Sequence, residues 1–81
     1  MRIRLLLFAL YRDLAGTSQL DVELPPGATA ATLVEAVRRR GGGFARIPPD
    51  AIVAVNQEYA APETPLSEGD EVALIPPVAG G

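Results

Sequence analysis

Only one segment of this 81-residue chain has the spacing of an amphipathic helix, and this limits the possible folds more than any other feature. Thr29 is placed to cap that helix, after the strand-breaking stretch Pro25-Pro26-Gly27. The apolar positions follow the helical spacing i, i+3, i+4 and i+7: Ala30, Leu33, Val34 and Val37. Arginines at 38–40 and glycines at 41–43 are typical of a helix end. Because one helix covers only one face of a sheet, the sequence predicts an α+β domain with a single sheet.

Apolar runs and alternation predict the strands of that sheet. They lie at residues 2–11, 18–24, 51–56 and 71–75. The first two strands would form a hairpin around a turn at 13–17. The stretch 58–67 contains two prolines, so we expect only an irregular edge segment there. Residues 44–50 are expected to be a loop and residues 67–70 a tight turn.

The order of these elements indicates a specific topology. A hairpin, a helix, a strand, a turn-rich stretch and a last strand are the elements of the ubiquitin-like β-grasp roll, with a mixed four- to five-stranded sheet and one main helix. The first and last strands are the most apolar, so we expect them side by side at the centre of the sheet. We expect residues 1–76 to form this domain and residues 77–81 to form a flexible C-terminal tail.

The missing residue types exclude several kinds of mechanism. The chain has no Cys, His, Trp or Lys. Without Cys or His it offers no zinc cluster, thiol nucleophile or imidazole base, so we expect no bound cofactor and no catalysis by this chain alone. A net charge of -3 argues against nucleic-acid binding. The N-terminal apolar run is followed by Arg12 and Asp13 without a cleavage pattern, so we expect a cytoplasmic protein with no membrane segment.

The sequence ends in IPPVAGG, which predicts a projecting tail. Pro76 and Pro77 cannot continue a strand ladder, because proline has no N–H group to donate, and they stiffen the chain that follows. Gly80 and Gly81 leave the terminal carboxylate without neighbouring β-carbons. A carboxylate becomes electrophilic only when it is activated. A tail that donates its terminal acyl group therefore requires a partner enzyme that uses ATP to adenylate Gly81. The alternative is an inert, frayed terminus.

Alternation along the first strand predicts a partner surface. Ile3, Leu5, Leu7 and Ala9 would share one face, and Leu6, Phe8 and Leu10 the other. Because one helix covers only one face, we expect the second set to be exposed. The residues at the root of the tail would extend this apolar patch: Ile75, Pro76, Pro77 and Val78.

Three segments of the chain resemble the small subunit of molybdopterin synthase, the MoaD group of sulfur carriers. They are LLLFALYRDLAGT at 5–17, VNQ at 55–57 and PLSEGDEVALIPPVAGG at 65–81. The resemblance implies that Gly81 is adenylated by a ubiquitin-activating-type enzyme and converted to a thiocarboxylate with sulfur from a persulfide donor. It further implies that the tail enters the large subunit of a heterotetrameric synthase and gives its sulfur to a pyranopterin precursor. The catalytic side chains would belong to the large subunit.

Three alternatives remain open at the level of sequence. The sulfur carrier of thiazole synthesis shares the fold and the glycine pair but has a different partner. A protein modifier would be attached through Gly81 to lysines of its targets. A plain β-grasp interaction module would have an inert tail, and deleting Gly80 and Gly81 would then leave its function unchanged.

Overall fold

The computed structural model describes residues 1–77 of the chain. Five strands, two α-helices and one 3₁₀ helix follow in the order β1 (Arg2–Leu7), α1 (Ala9–Ala15), β2 (Gln19–Glu23), α2 (Ala30–Arg38), the 3₁₀ helix (Gly42–Arg46), β3 (Ile52–Val55), β4 (Glu58–Ala60) and β5 (Glu71–Ile75).

The five strands form one mixed sheet with the spatial order β2-β1-β5-β3-β4. The first and last strands, β1 and β5, lie side by side and run parallel, whereas the other neighbouring pairs are antiparallel. This confirms the predicted α+β fold and the central position of the first and last strands. A parallel pair cannot be joined by a tight turn, so α2, β3 and β4 all lie in the connection between β1 and β5.

The hydrophobic core lies between α2 and one face of the sheet. All four predicted apolar positions of α2 are buried, and they belong to the same cluster as Ile3, Leu5 and Leu74 of the central strands. Thr29 caps α2 as predicted. Its side chain accepts a hydrogen bond from the Thr32 N–H at 3.3 Å, and the Thr32 hydroxyl accepts one from the Thr29 N–H at 3.1 Å.

The prediction of a first strand through residue 11 and a turn at 13–17 was wrong. The strand ends at Leu7, and residues from Ala9 form α1. Ala9 is therefore exposed on a helix and does not share the core face with Ile3. The reason lies in the partner strand: Leu7 pairs with Leu74, so a longer β1 would run beside two prolines that cannot donate ladder hydrogen bonds.

Two further segments differ from expectation. The predicted loop at 44–50 overlaps the 3₁₀ helix Gly42–Arg46, whose position is fixed by a hydrogen bond from Arg38 Nε to the Ile47 carbonyl at 2.8 Å. The expected irregular edge segment contains a regular edge strand of three residues, β4, paired with β3. The turn at 67–70 is confirmed by the Asp70 N–H, which donates to the Ser67 carbonyl at 3.1 Å.

Over residues 1–77, neither α-helix has the length or the apolar character needed to cross a membrane, since α1 has seven residues and α2 has nine.

Candidate functional site

The root of the tail leaves the sheet from its centre. β5 is hydrogen-bonded to β1 on one side and to β3 on the other, and it ends at Ile75. Pro76 is half-buried and Pro77 is exposed. Val78, Gly80 and Gly81 lie outside the described residues, so the predicted acyl site at Gly81 and the flexible tail stay predictions.

The sheet face opposite α2 carries a set of apolar side chains, which we call the open face. Strand register aligns one row of this face across four strands: Leu6, Ala73, Ala54 and Tyr59. Ile75 pairs with Ile52 in the next row, and Phe8 follows β1 at the same end of the sheet. The open face is thus apolar where the tail begins.

The open face forms a groove of about 410 Å³. Its lining residues are Leu6, Phe8, Ala54, Gln57, Tyr59, Glu71, Ala73 and Ile75. Phe8 is 48% exposed and Tyr59 80% exposed, although both are large aromatic side chains. Such adjacent exposed apolar side chains mark surfaces that a partner covers.

The opposite end of the same face is charged. Arg4 lies in register between Asp21 of β2 and Glu71 of β5. Farther along, Arg2 Nε lies 3.3 Å from a carboxylate oxygen of Glu23, and these two side chains are exposed. The open face therefore changes from apolar at the root of the tail to charged at the far end.

The turn between β3 and β4 borders the groove. It consists of Asn56 and Gln57, which have φ angles of 50° and 72°. Asn56 Nδ2 donates to an Asp70 carboxylate oxygen at 3.0 Å, and Asn56 Oδ1 accepts from the Glu71 N–H at 3.0 Å. These bonds tie the turn to the start of β5.

A second cavity, with a volume of about 480 Å³, lies between α2 and the β3–β4 edge. Its lining includes Ala31 and Val34 of α2 but not Phe8, Pro76 or Pro77. Because it does not border the root of the tail, we place the candidate site on the open face.

Comparison with known proteins identifies the family. The ThiS family matches residues 5–81. The chain belongs to the ThiS family. It is 36% identical over 83 residues to the molybdopterin synthase sulfur carrier subunit of Chlamydomonas reinhardtii, with each chain covered completely. A putative molybdopterin converting factor subunit 1 from Pyrococcus furiosus superposes with a TM-score of 0.82 at 28% identity, covering 96% of this chain and 99% of that one.

A further solved relative of this ThiS-family chain bears another name. The small archaeal modifier protein 1 of Haloferax volcanii superposes with a TM-score of 0.84 at 28% identity, covering 95% of this chain and 98% of that one. These likenesses confirm the ubiquitin-like β-grasp fold.

The structure brings together three of the residues predicted for the partner surface. Leu6, Phe8 and Ile75 line one groove, whereas Leu10 lies on α1, is 57% exposed and does not line it. Their role in partner binding stays a prediction. Sequence reasoning missed Tyr59, because the segment from residue 58 was expected to be irregular, and it assigned Gln57 no place on this face. The sequence signal that could have found them is the two-residue turn after Val55, because a turn of that length fixes the register of the hairpin and thus the face on which Tyr59 lies.

Proposed function

We propose that this ThiS-family chain is the sulfur carrier subunit of a molybdopterin synthase. One observation carries the proposal: the chain matches a relative of that name from end to end at 36% identity. The family match also extends through Gly81. On this proposal the domain is a carrier, and the reacting group is the terminal carboxylate.

The chemistry at Gly81 has two steps. The carboxylate attacks the α-phosphate of ATP in an activating enzyme, which forms an acyl adenylate and releases pyrophosphate. The second step transfers sulfur: the outer sulfur of a donor persulfide displaces AMP from the acyl carbon, and a thiol of the partner then attacks the inner sulfur of the resulting acyl disulfide, which releases the thiocarboxylate and leaves a disulfide on the partner. ATP and the sulfur donor are bound by the partners, and this chain contributes the acyl carbon. With no lysine, the chain has no side-chain amine to compete for the activated acyl group.

The open face would dock the large subunit of the synthase, where the thiocarboxylate gives its sulfur to the pyranopterin precursor. Phe8 and Ile75 lie at the end of the sheet from which the tail leaves, so one contact surface would hold the root of the tail. When the root is held, the reacting group at the tip has to find the partner's site only within the reach of the tail, and no longer by free diffusion. We place this exchange in the cytoplasm.

Intact-mass measurement tests the carrier mechanism directly. The protein is incubated with its adenylating enzyme, ATP and a persulfide donor, and the expected product is heavier by the exchange of one oxygen for sulfur. A variant lacking Gly81 is the matched control, because it keeps the described domain and loses the reacting carbon. Equal sulfur incorporation in that variant would contradict the proposal.

A second candidate function is protein modification through the same glycine. It is favoured by the likeness to a small archaeal modifier protein at 28% identity. Conjugates isolated from the native cell, in which the Gly81 carbonyl is joined to lysines of target proteins by an isopeptide bond, would support this function. Conjugates linked through a side-chain amine of the carrier itself are not expected, since the chain has no lysine.

A further inference from the structure

The second residue of the β3–β4 turn occupies a backbone region that favours glycine. Val55 pairs with Glu58, so Asn56 and Gln57 form a two-residue hairpin turn with positive φ at both positions, 50° and 72°. Such turns strongly prefer Asn-Gly, because a β-carbon is disfavoured in the left-handed region. Glutamine at the second position therefore lowers the stability of the turn.

Side-chain hydrogen bonds offset the unfavourable backbone conformation of Asn56 but not that of Gln57. The Asn56 side chain makes the two hydrogen bonds to Asp70 and Glu71 described above, and asparagine tolerates this backbone region well. The Gln57 side chain makes no hydrogen bond to any group of residues 1–77, and the residue is exposed. Nothing within the described domain explains why a glutamine is present there.

Gln57 does contribute to the groove of the open face. It lies beside Tyr59 at one side, with Phe8 and Ile75 lining the same groove. A carboxamide carries two N–H donors and one carbonyl acceptor without a net charge. This set matches the N–H and carbonyl groups of a peptide unit, so it can fix the position of a partner's main chain beside an apolar contact.

We propose that Gln57 is a specificity-determining residue of this interface, whose carboxamide hydrogen-bonds a main-chain peptide group of the docked large subunit. The proposal rests on the proposed function, because it takes the large subunit as the occupant of the open face. The residue lowers the stability of the free domain and contributes its hydrogen bonds only in the complex. Backbone strain of this kind is typical of functional positions.

Gln57→Gly should stabilise the free domain and weaken binding to the large subunit, so the two effects of Gln57 can be measured separately. Removing the β-carbon at φ 72° should raise the Tm of the free domain, by about 4–8 °C for a chain of this size. Losing the carboxamide should weaken binding to the large subunit about three- to tenfold, the range for neutral hydrogen bonds. Differential scanning calorimetry measures the first effect and isothermal titration calorimetry with the purified large subunit measures the second.

Gln57→Met tests whether the polar group is responsible. Methionine keeps the length of the side chain and the β-carbon, so the Tm should stay near that of the wild type while the affinity falls as in Gln57→Gly. Glu35→Met is the matched control. Glu35 is exposed on α2, which covers the opposite face of the sheet, and it does not line the groove, so its substitution should leave the affinity unchanged.

Unchanged or tighter binding by Gln57→Met, while the wild type binds normally, would overturn the role of Gln57 and leave the carrier function intact. A wild-type chain that accepts sulfur at Gly81 but does not bind the large subunit would overturn this inference together with the synthase assignment.

Discussion

Replacing Phe8 by serine should weaken binding to the large subunit strongly while the domain stays folded. Phe8 is 48% exposed, and an aromatic side chain of this size presents about 200 Å², so about 100 Å² remains for a partner to cover. At about 25 cal/mol per Å², that area contributes about 2.5 kcal/mol to binding. Because 1.4 kcal/mol corresponds to a tenfold change, the Kd should rise about 60-fold.

The substitution lowers the free energy of unfolding only through the part of the Phe8 side chain that the domain itself already covers. Losing it removes up to about 2 kcal/mol from the free energy of unfolding, which a domain with about 5–15 kcal/mol tolerates. Leu10→Ser is the matched control, because Leu10 is 57% exposed on α1 outside the groove. Titration calorimetry should give near wild-type affinity for Leu10→Ser. Equal losses in both variants, or unfolding of Phe8→Ser, would refute the assignment of Phe8 to the interface.

Three further substitutions probe the domain itself. Gly43→Ala should lower the free energy of unfolding by about 1–3 kcal/mol in denaturant titrations, since the added β-carbon would clash with the Leu14 carbonyl. Thr29→Ala should cost about 1 kcal/mol through loss of the α2 cap, visible as a lower Tm. Burial, and to a smaller extent the nearby Asp50 carboxylate, raise the pKa of Tyr11 above its ordinary value of 10.0. The folded state therefore keeps this proton longer than the unfolded state, so stability should fall as the pH rises from 10.0 through the folded pKa, and Asp50→Asn should lower the Tyr11 pKa in an absorbance titration.

The long elements of the fold were predictable because their patterns are regular over many residues. The α2 helix has a cap, two turns of apolar spacing and glycines at its end, and these signals agree. β5 was predicted with its observed bounds because charge precedes it and prolines follow it. The central pairing of β1 and β5 followed from the composition of both strands, since strands covered by neighbours on both sides tend to be the most apolar.

Helix α1 was not predictable in the same way. Its seven residues place only Tyr11, Leu14 and Ala15 toward the core, at spacings of three and one. That is less than two helical turns, and the preceding apolar run extends the strand pattern to Tyr11 without a break. Gly16, which has a left-handed φ of 76° in the structure, was the one residue in the sequence that indicated a helix end there.

The open face was predicted in part. Alternation along β1 assigned Leu6 and Phe8 to the side opposite the helix, and both line the groove. Tyr59 could not be assigned from alternation alone, because its place on the face depends on the register between β3 and β4. A one-residue shift of that register would turn Tyr59 toward the core side.

The two prolines after β5, Pro76 and Pro77, explain both the end of β1 and the position of Phe8. Leu7 pairs with Leu74, so continued parallel pairing would place Ala9 opposite Pro76, which has no N–H group for the ladder. β1 therefore stops at Leu7, and Ala9 takes a φ of 46° to begin α1. This bend leaves Phe8 extended and exposed at the end of the sheet where β5 ends. Pro76 and Pro77, which end the pairing of β5, thus also place an aromatic side chain at the same end of the sheet. In the proposed function, docking and presentation of the tail would therefore depend on one local feature of the sequence.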